Sequence, residues 1–351
     1  MTGAALDAIE VIVPNLSPRY SGVTATNRMI APRIAAMFTT GWFGRDVPDG
    51  VARIAWSDLW RLRRRAASGE RRIWHARRNI EMAAGVALKR CGWPLALVFT
   101  SAGQRHHKAL TRWLIGQMDA VIATSEVSKS YLRRPATVIH HGIDTTRYAP
   151  PADRAAAWRE SGLPGRFGIG CFGRVRAQKG TDVFVAAMCR LLPRYPDFTA
   201  VVIGEVDDAS FEAKLKADAE AAGLSNRIVF LGYRPIEELP LWYQRISIYA
   251  FCSRNEGFGL TLLEAMAAEA ALVASRAGAA DVVVTEGETG MLVPSGDADA
   301  MTAALESLMR DPVRAEQMGR SARVRVTSEF SIDVEAGRIA ALYRQVRDAT
   351  R

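Results

Sequence analysis

The sequence predicts an α/β protein made of two doubly wound parallel-sheet domains. Short apolar, β-rich runs alternate with helical patterns along both halves of the chain, which is typical of βαβ units. A chain of 351 residues is long for a single core and suits two domains of ordinary size. Between the halves, residues 141–151 contain Gly142 and the pair Pro150-Pro151, which indicate a boundary or hinge. We therefore predict domains at residues 1–148 and 149–331.

In the first half, short apolar runs predict strands and 3.6-residue patterns predict helices. Helices are expected at 27–36 and 108–117, and the region from about 56 to 90 is predicted as one or two arginine-rich helices. The strands are expected at 9–13, 37–40, 95–100, 120–124 and 137–140.

The second half repeats this scheme. A helix is expected to follow Gly180, with Thr181 as its N-cap and Pro193 just past its end. Strands are expected at 167–171, 198–203, 228–231, 246–252, 271–275 and 290–293. Further helices are expected at about 208–222, 260–269, 297–311, 313–328 and 332–347.

Two segments of the second half carry the chemistry, and each lies at a strand-to-helix junction. In the first, Arg174 and Lys179 stand between Gly173 and Gly180, so two permanent cations lie beside glycines that let backbone approach a ligand. The second, residues 256–264, places a glutamate on each side of a glycine-rich turn that opens a helix. Taken alone, the first segment is more often a solvated turn, and two glutamates at this spacing are more often surface charge. Together, at the strand ends where doubly wound sheets bind ligands, they predict a site for a nucleoside diphosphate carrying a reactive sugar.

A nucleotide-sugar reaction breaks the bond between the anomeric carbon and a diphosphate oxygen, so the protein must stabilise negative charge on the leaving group. Arg174 offers a planar fork for bidentate phosphate contact, and Lys179 a compact point charge. The N–H groups of Gly257, Phe258 and Gly259, at the start of the next helix, would add donors. Since no Asp-x-Asp stands in a setting suited to a divalent metal, we expect stabilisation without a metal or other cofactor.

The two glutamates are expected to hold the sugars on either side of the diphosphate. Glu264 would lie about a turn into its helix and accept two hydrogen bonds from ribose hydroxyls. Glu256 would contact the transferred sugar or its developing positive charge. Tyr233, with Pro235 after it, follows a predicted strand and would flank the nucleotide base, although packing alone explains it equally well.

Two further candidates lie in the first half. Gly22 follows the first strand and precedes a helix, so its backbone would approach the diphosphate, or it simply forms a turn. His107, beside His106, follows the strand at 95–100 and would bind a sugar hydroxyl at the catalytic centre, or it simply faces solvent.

Charge and composition limit the partners and the compartment that we expect for the protein. The net charge is +9, and residues 61–78 hold eight arginines and a single acid, with Trp56, Trp60 and Trp74 close by. This pattern suits an anionic membrane surface or acceptor; nucleic acid competes but has no recognised motif, and a merely solvated helix remains open. Cys171 and Cys252 are expected to be buried apolar residues, which fits a reducing compartment. We expect a soluble protein without a signal peptide or a spanning helix.

The two chemical segments resemble the retaining glycosyltransferases of family 4, which have the two-domain GT-B fold. The resemblance covers nearly the whole chain and is most specific at residues 173–180, at residues 256–264 and at Thr-Gly-Met-Leu-Val-Pro, residues 289–294. It implies two Rossmann-like domains facing each other across a cleft, an acceptor-binding one at 1–148 and a nucleotide-sugar-binding one at 149–331. It also implies that the last helix, 332–351, completes the first domain.

Carried over residue by residue, the resemblance implies diphosphate contacts by Arg174 and Lys179, sugar contact at the catalytic centre by Glu256, and ribose contact by Glu264. It further implies retention of anomeric configuration without a divalent metal, by a front-face route in which the leaving phosphate helps to deprotonate the acceptor. The chain departs from the pattern at Ser21-Gly22, where many members have adjacent glycines, and at His141, where many have asparagine.

A narrower resemblance lies in residues 11–24 and 99–105, to the GDP-mannose-dependent mannosyltransferases that add mannose to the Kdo sugar of the lipopolysaccharide inner core. It implies GDP-mannose as donor, an anionic glycolipid of the lipid A–Kdo type as acceptor, and no nucleic-acid partner. It also implies a cytoplasmic enzyme, peripheral on the inner face of the cytoplasmic membrane.

Three alternatives stay open at this point. One is a transferase of the same family that uses UDP-glucose or UDP-galactose, or another lipid-linked acceptor such as a phosphatidylinositol or exopolysaccharide intermediate. Another is a GT-B sugar-nucleotide epimerase, which needs no acceptor. The third is a non-catalytic protein that binds nucleic acid or membrane through its basic face.

Overall fold

The computed structural model describes residues 3–18 and 21–349, which form two compact units. The first unit contains the residues up to His141 together with those from Ile332 onward, and the second runs from Gly142 to Ser331.

The boundary between the units lies a few residues before the predicted 148/149. The backbone N–H of Ile143 donates to the carbonyl of Phe330 at 2.9 Å, within the second unit. Tyr148 is 2% exposed and packs in an apolar core of that unit. The segment after Gly142 therefore belongs to the second unit because its backbone and its aromatic side chain are both anchored there.

Seven parallel strands, counted over the described residues, form the sheet of the first unit. They are β1 (Val11–Asn15), β2 (Thr40–Gly44), β3 (Ala52–Ile54), β4 (Arg72–Ala76), β5 (Leu95–Ser101), β6 (Ala120–Ala123) and β7 (Thr137–Val138). Their order across the sheet is β3-β2-β1-β4-β5-β6-β7. The order reverses between β1 and β4, and at such a switch point a doubly wound sheet opens a crevice at its carboxyl edge.

Strand β4 is the main departure from the sequence prediction, since its residues fall in a region predicted as helical. Arg72 and Trp74 are both fully buried in it. The guanidinium of Arg72 donates to the carbonyls of Arg64 at 3.1 Å and Arg65 at 3.2 Å. The prediction was wrong because an arginine whose N–H groups are satisfied by backbone carbonyls can be buried in a central strand. The short strand β3 was not predicted.

In the second unit, residues 142–331, all of which the structure describes, six parallel strands form the sheet. They are β8 (Phe167–Phe172), β9 (Phe198–Ile203), β10 (Ile228–Gly232), β11 (Ile246–Phe251), β12 (Ala271–Ser275) and β13 (Met291–Val293). Their order is β10-β9-β8-β11-β12-β13, so the switch point lies between β8 and β11. Each strand predicted for this half overlaps its observed counterpart.

Helices pack against both sheets. In chain order they are α1 (Gly3–Asp7), α2 (Gly22–Ala35), α3 (Trp56–Leu59), α4 (Asn79–Arg90), α5 (Ala109–Gly116), α6 (Glu126–Ser130), α7 (Arg154–Arg159), α8 (Thr181–Leu191), α9 (Ala209–Ala221), α10 (Leu239–Arg245), α11 (Leu260–Ala267), α12 (Ala280–Val283), α13 (Ala298–Arg310), α14 (Pro312–Glu329) and α15 (Ile332–Asp348). The N-cap of α8 is Gly180 rather than the predicted Thr181.

Helix α15 packs in the first unit. Its Ile339 lies in one apolar core with Val11 of β1 and Ile30 of α2. The Tyr343 hydroxyl lies 2.5 Å from Nδ1 of His75, a buried residue of β4. The end of the chain thus supplies one face of the first sheet with apolar cover, while α4 and α5 cover the other face.

The basic surface predicted for residues 61–78 is smaller than the sequence suggested. Trp56 and Trp60 are 72% and 68% exposed, and the guanidinium of Arg63 lies 5.2 Å from the ring centre of Trp60. Trp74, Arg72 and Arg77 are buried and do not belong to it. We call the exposed part the Trp56/Trp60 surface. Within the described residues, no helix is long and apolar enough to cross a membrane.

Candidate functional site

The first candidate segment starts where β8 ends, and two glycines fix its path. Gly173 has φ +133° and Gly180 has φ +68°, backbone conformations that favour glycine. A Cβ atom at Gly180 would lie 1.9 Å from the carbonyl oxygen of Cys252, so the loop passes directly against the residue that follows β11. This close approach brings the loop of Arg174 and Lys179 to the switch point of the sheet.

Arg174, in this loop, lies beside two carboxylates of the segment that follows β9. Its Nη1 is 3.3 Å from Oδ1 of Asp207, and its Nε is 4.0 Å from Glu205. Arg176 donates to the other oxygen of Asp207 at 3.1 Å. The Arg174 side chain is 57% exposed. Exposed ion pairs contribute little free energy, so the guanidinium can exchange Asp207 for a phosphate oxygen at small cost.

Lys179 forms an ion pair with Glu256, the first glutamate of the second segment. The side chains of Lys179 and Glu256 are 21% and 20% exposed. The other carboxylate oxygen of Glu256 accepts the backbone N–H of Gly257 at 3.0 Å. Lys179 also lines one small cavity with Gly173 and Arg174; its volume is about 10 Å³. Such a space is about the size needed for a single water molecule.

The glycine turn after Glu256 opens helix α11. Gly259, with φ +97°, is the N-cap residue. The Phe258 side chain is 4% exposed and packs in the apolar core, and its carbonyl accepts the N–H of Ala279 at 2.9 Å. Any contact from Phe258 to a ligand must therefore come from its backbone, while its ring fixes the turn.

Glu264 lies on α11 with both of its oxygens engaged. The hydroxyl of Tyr243 donates to one oxygen at 2.7 Å, and that of Tyr148 to the other at 3.2 Å. Burial raises the pKa of Glu264, and the two phenols act in the opposite direction. The pKa values of Tyr148 and Tyr243 are raised, first by burial and then by the Glu264 charge, so both phenols stay protonated donors. The tyrosines thus hold the carboxylate in one orientation.

Replacing Tyr243 by phenylalanine tests this arrangement. One phenol no longer opposes the effect of burial, so the pKa of Glu264 should rise further. A protonated Glu264 accepts fewer hydrogen bonds; the KM for the donor should therefore increase as pH falls, and in Tyr243→Phe this increase should begin at a higher pH. At neutral pH we expect a KM about tenfold higher, which corresponds to about 1.4 kcal/mol of donor binding lost when Glu264 is no longer held in one orientation.

The measurement is the pH profile of the donor KM. Tyr195→Phe is the matched control, because the Tyr195 hydroxyl donates to Glu306 at 2.9 Å elsewhere in the same unit. Identical profiles for Tyr243→Phe and the control would contradict the positioning of Glu264 by Tyr243.

The remaining candidates differ in their surroundings. Tyr233 follows β10 and is 68% exposed, so its ring is accessible to a ligand. Gly22 is the exposed first residue of α2, and a Cβ atom there would meet nothing within 4 Å. The backbone at Gly22 therefore does not itself demand glycine. His107 lies in the first unit, between β5 and α5, where it lines a pocket of that unit described below.

Arg78 holds the turn around Gly22 and was missed by the sequence analysis, which assigned it to the basic surface. Its guanidinium donates to Asn15 at the end of β1 at 2.8 Å, and to Ser21 at 2.9 Å and Thr24 at 2.6 Å. It therefore joins the switch point of the first sheet to the start of α2. No group of three or more histidine, cysteine or acidic residues able to hold a metal ion occurs in residues 3–18 and 21–349.

Comparison with known proteins gives the family. The model described as Glycosyl transferases group 1 matches residues 157–325, which include both candidate segments. The lipopolysaccharide core biosynthesis mannosyltransferase LpcC of Rhizobium leguminosarum bv. viciae is 47% identical over 342 residues, covering 96% of this chain and 97% of that protein. This chain belongs to the group 1 glycosyltransferases. A second relative, the lipopolysaccharide core biosynthesis mannosyltransferase LpsB of Rhizobium meliloti (strain 1021), is 41% identical over 351 residues, covering 96% of this chain and 98% of that protein.

The fold is shared with solved glycosyltransferase structures. Anabaena Alr3699/HepE, solved in complex with UDP and glucose, superposes with a TM-score of 0.80 over 96% of this chain and 100% of that chain, at 18% identity. At this identity the likeness concerns the fold alone. Together with the two parallel sheets, it confirms the predicted GT-B fold class. The predicted enzyme class, a glycosyltransferase, is confirmed by the family.

Three polar residues next to the predicted site were not found from the sequence. Asp207 had a usable signal, because it follows β9 just as Arg174 follows β8, and side chains at neighbouring strand ends meet. Tyr148 and Tyr243 had no such signal in the sequence. They lie far from Glu264 in the chain, and only the packing of α10 and of the segment after Gly142 brings their hydroxyls to it.

Proposed function

We propose that this group 1 glycosyltransferase moves mannose from GDP-mannose to the Kdo inner core of lipopolysaccharide, with retention of configuration and without a divalent metal. The observation that carries the proposal is the identity of 47% and 41%, over 96% of the chain in each case, with two lipopolysaccharide core mannosyltransferases. Such similarity extends through the first unit, where acceptor recognition is expected, as well as the second.

In this proposal Arg174 and Lys179 stabilise the departing GDP. As the bond to the anomeric carbon breaks, charge grows on the diphosphate, and preorganised cations lower the energy of that state. Arg174 exchanges its exposed contact with Asp207 for a phosphate oxygen. No step then requires a metal to neutralise the leaving group.

Glu256 is proposed to act in the same step as Arg174 and Lys179. Lys179 is paired with Glu256, so a diphosphate that attracts the ammonium group frees the carboxylate. The freed carboxylate can accept a hydrogen bond from a mannose hydroxyl or stabilise the oxocarbenium-like sugar. Glu264, oriented by Tyr148 and Tyr243, accepts the ribose hydroxyls.

A thermal-shift screen against GDP-mannose, UDP-glucose, UDP-galactose and the free nucleotides tests the donor. A ligand that binds the folded state alone stabilises it, by about 2.7 kcal/mol when present at 100 times its Kd. GDP-mannose is expected to give the largest rise in melting temperature. A larger rise with a UDP-sugar would replace mannose in this proposal by glucose or galactose.

A transfer assay tests the acceptor and the mechanism. With GDP-mannose and Kdo-bearing lipid A, we expect a mannosylated product whose anomeric configuration, read by NMR, matches that of the donor, at a rate unchanged by EDTA. Inversion, or loss of activity in EDTA, would contradict the mechanism. Conversion of the nucleotide-sugar in the absence of acceptor would indicate an epimerase instead.

We further propose that the enzyme works in the cytoplasm, peripherally at the inner face of the cytoplasmic membrane. The support is the Trp56/Trp60 surface, where two indoles are exposed and the guanidinium of Arg63 lies over the Trp60 ring. Exposed tryptophan with basic charge is suited to the headgroup region of an anionic bilayer.

A further inference from the structure

A basic pocket lies in the first unit, where α5 meets the loop after α6. Its volume is about 90 Å³, well above the roughly 10–15 Å³ that one water molecule needs. Its eight lining residues include His107, Arg112, Arg133 and Arg134. We call it the arginine pocket. Neither the comparisons nor the nucleotide-sugar segments of the second unit assign a role to the pocket as a whole; for His107 alone, the sequence analysis predicted contact with a sugar hydroxyl.

The arginine pocket is strongly positive. Arg112 donates to the carbonyl of His107 at 2.7 Å, and Arg134 donates to the carbonyls of Ile115 at 2.7 Å and Met118 at 3.0 Å. These contacts orient the two guanidinium groups without neutralising them, because carbonyls carry no net charge. Arg133 is exposed and has no ion-pair partner among the described residues. The eight lining residues, all described, include no acid.

His107 adds an unused polar atom. Its Nε2 is buried and has no hydrogen-bond partner among the described residues. Burial lowers the pKa of His107, and the nearby Arg105 and His106 lower it further, so the ring is neutral at neutral pH. Leaving a buried polar atom unsatisfied is unfavourable, so the His107 ring, which lines the pocket, gains a hydrogen bond if it turns Nε2 toward a ligand oxygen there. Charge, volume and this atom together suit an anionic group of several oxygens.

Apolar side chains stand on the same helix as the pocket. Leu110 and Trp113 are 66% and 44% exposed, and their spacing of three puts them on one face of α5. The guanidinium of Arg90 lies 5.0 Å from the Trp113 ring centre. Exposed leucine and tryptophan beside arginines are suited to the boundary between headgroups and acyl chains. A free anion in solution would give these apolar groups no partner.

We propose that the arginine pocket binds the phosphate group of an anionic lipid at a membrane surface, while Leu110 and Trp113 enter the interface beside it. Arg133 and Arg112 hold the phosphate oxygens, and the His107 ring turns so that its Nε2–H donates to one of them. The inference rests on the proposed function only in that the enzyme works at a lipid surface; it holds for any donor sugar.

Vesicle flotation with the full chain tests the pocket. One set of phosphatidylcholine vesicles carries phosphatidic acid, and a second carries cholesteryl hemisuccinate, an anionic lipid without phosphate, at matched surface charge. We expect tighter binding to the phosphatidic acid set. Arg133→Gln should weaken that binding roughly fivefold, the effect of removing one basic contact of about 1 kcal/mol. Trp113→Ala should weaken binding to both sets.

Arg338→Gln is the matched control, because Arg338 is an exposed arginine of α15 in the same unit. An equal loss of vesicle binding in Arg133→Gln and Arg338→Gln would contradict a specific pocket and indicate that diffuse surface charge binds the lipid. Equal binding to the two vesicle sets would overturn recognition of phosphate.

A second measurement separates a lipid phosphate from a free one. The NMR signals of the His107 ring should move when phosphatidic acid is added in short-chain, dispersed form. A comparable response to inorganic phosphate, without binding to phosphatidic acid vesicles, would overturn the lipid source. In every variant the melting-temperature rise with nucleotide-sugar reports separately on the donor site, so the pocket can fail while the proposed function stands.

Discussion

Replacing Lys179 by alanine should lower turnover by roughly 10²–10³-fold, by analogy with the loss of one donor to a developing oxyanion. Lys179 lies in the loop after β8 and pairs with Glu256, so its ammonium is held where the leaving diphosphate is expected. The interaction strengthens as negative charge grows on the leaving group; the effect should therefore fall on kcat more than on the KM for the donor. Arg174→Ala should lose activity in the same range.

Steady-state kinetics with saturating acceptor give the two constants separately. Lys214→Ala is a suitable control for Lys179→Ala, because Lys214 also pairs with a carboxylate, Asp218, at 2.7 Å in the same unit but on the exposed helix α9. Arg166→Ala serves likewise for Arg174, since its side chain is 73% exposed and paired with Asp197. Normal kcat with a raised donor KM would contradict stabilisation of the leaving group.

Gly180→Ala is the second change with a large expected effect, here on folding. An alanine at φ +68° costs roughly 1–2 kcal/mol. Its Cβ would also lie 1.9 Å from the carbonyl oxygen of Cys252, and such overpacking typically costs a further 1–3 kcal/mol. Because the obstacle is backbone, it cannot move aside as a side chain would. We expect the free energy of unfolding to fall by about 2–5 kcal/mol.

Gly162→Ala isolates the contribution of the contact. Gly162 has φ +71°, almost the same conformation, but a Cβ atom there meets nothing within 4 Å. The melting temperature of Gly180→Ala should therefore fall well below that of Gly162→Ala, which loses only the conformational share. Equal melting temperatures would mean that the loop before α8 moves away from Cys252 without cost. Lost nucleotide-sugar binding in a folded Gly180→Ala would show that the same displacement moves Lys179.

The sequence predicted the second unit well and the first unit less well. In the second unit every predicted strand overlaps an observed one, because its strands are short apolar runs bounded by glycine and polar turns. In the first unit β4 was predicted as helix, since Arg72 made the segment look solvated. Local composition cannot tell an exposed arginine from a buried one whose N–H groups are satisfied by carbonyls of distant residues.

The sequence alone determined the family resemblance, the two-sheet α/β fold and the two segments with Arg174, Lys179, Glu256 and Glu264. The resemblance depends on the motifs at residues 173–180, 256–264 and 289–294, while the fold and the two segments depend on glycine spacing, charge and hydrophobic period, which are local properties of the chain. Only the tertiary structure decided that Lys179 pairs with Glu256, that Tyr148 and Tyr243 orient Glu264, and that arginines gather in a pocket beside His107. Those arrangements join residues far apart in sequence, so they follow from how helices and strands pack and not from the pattern of any one segment.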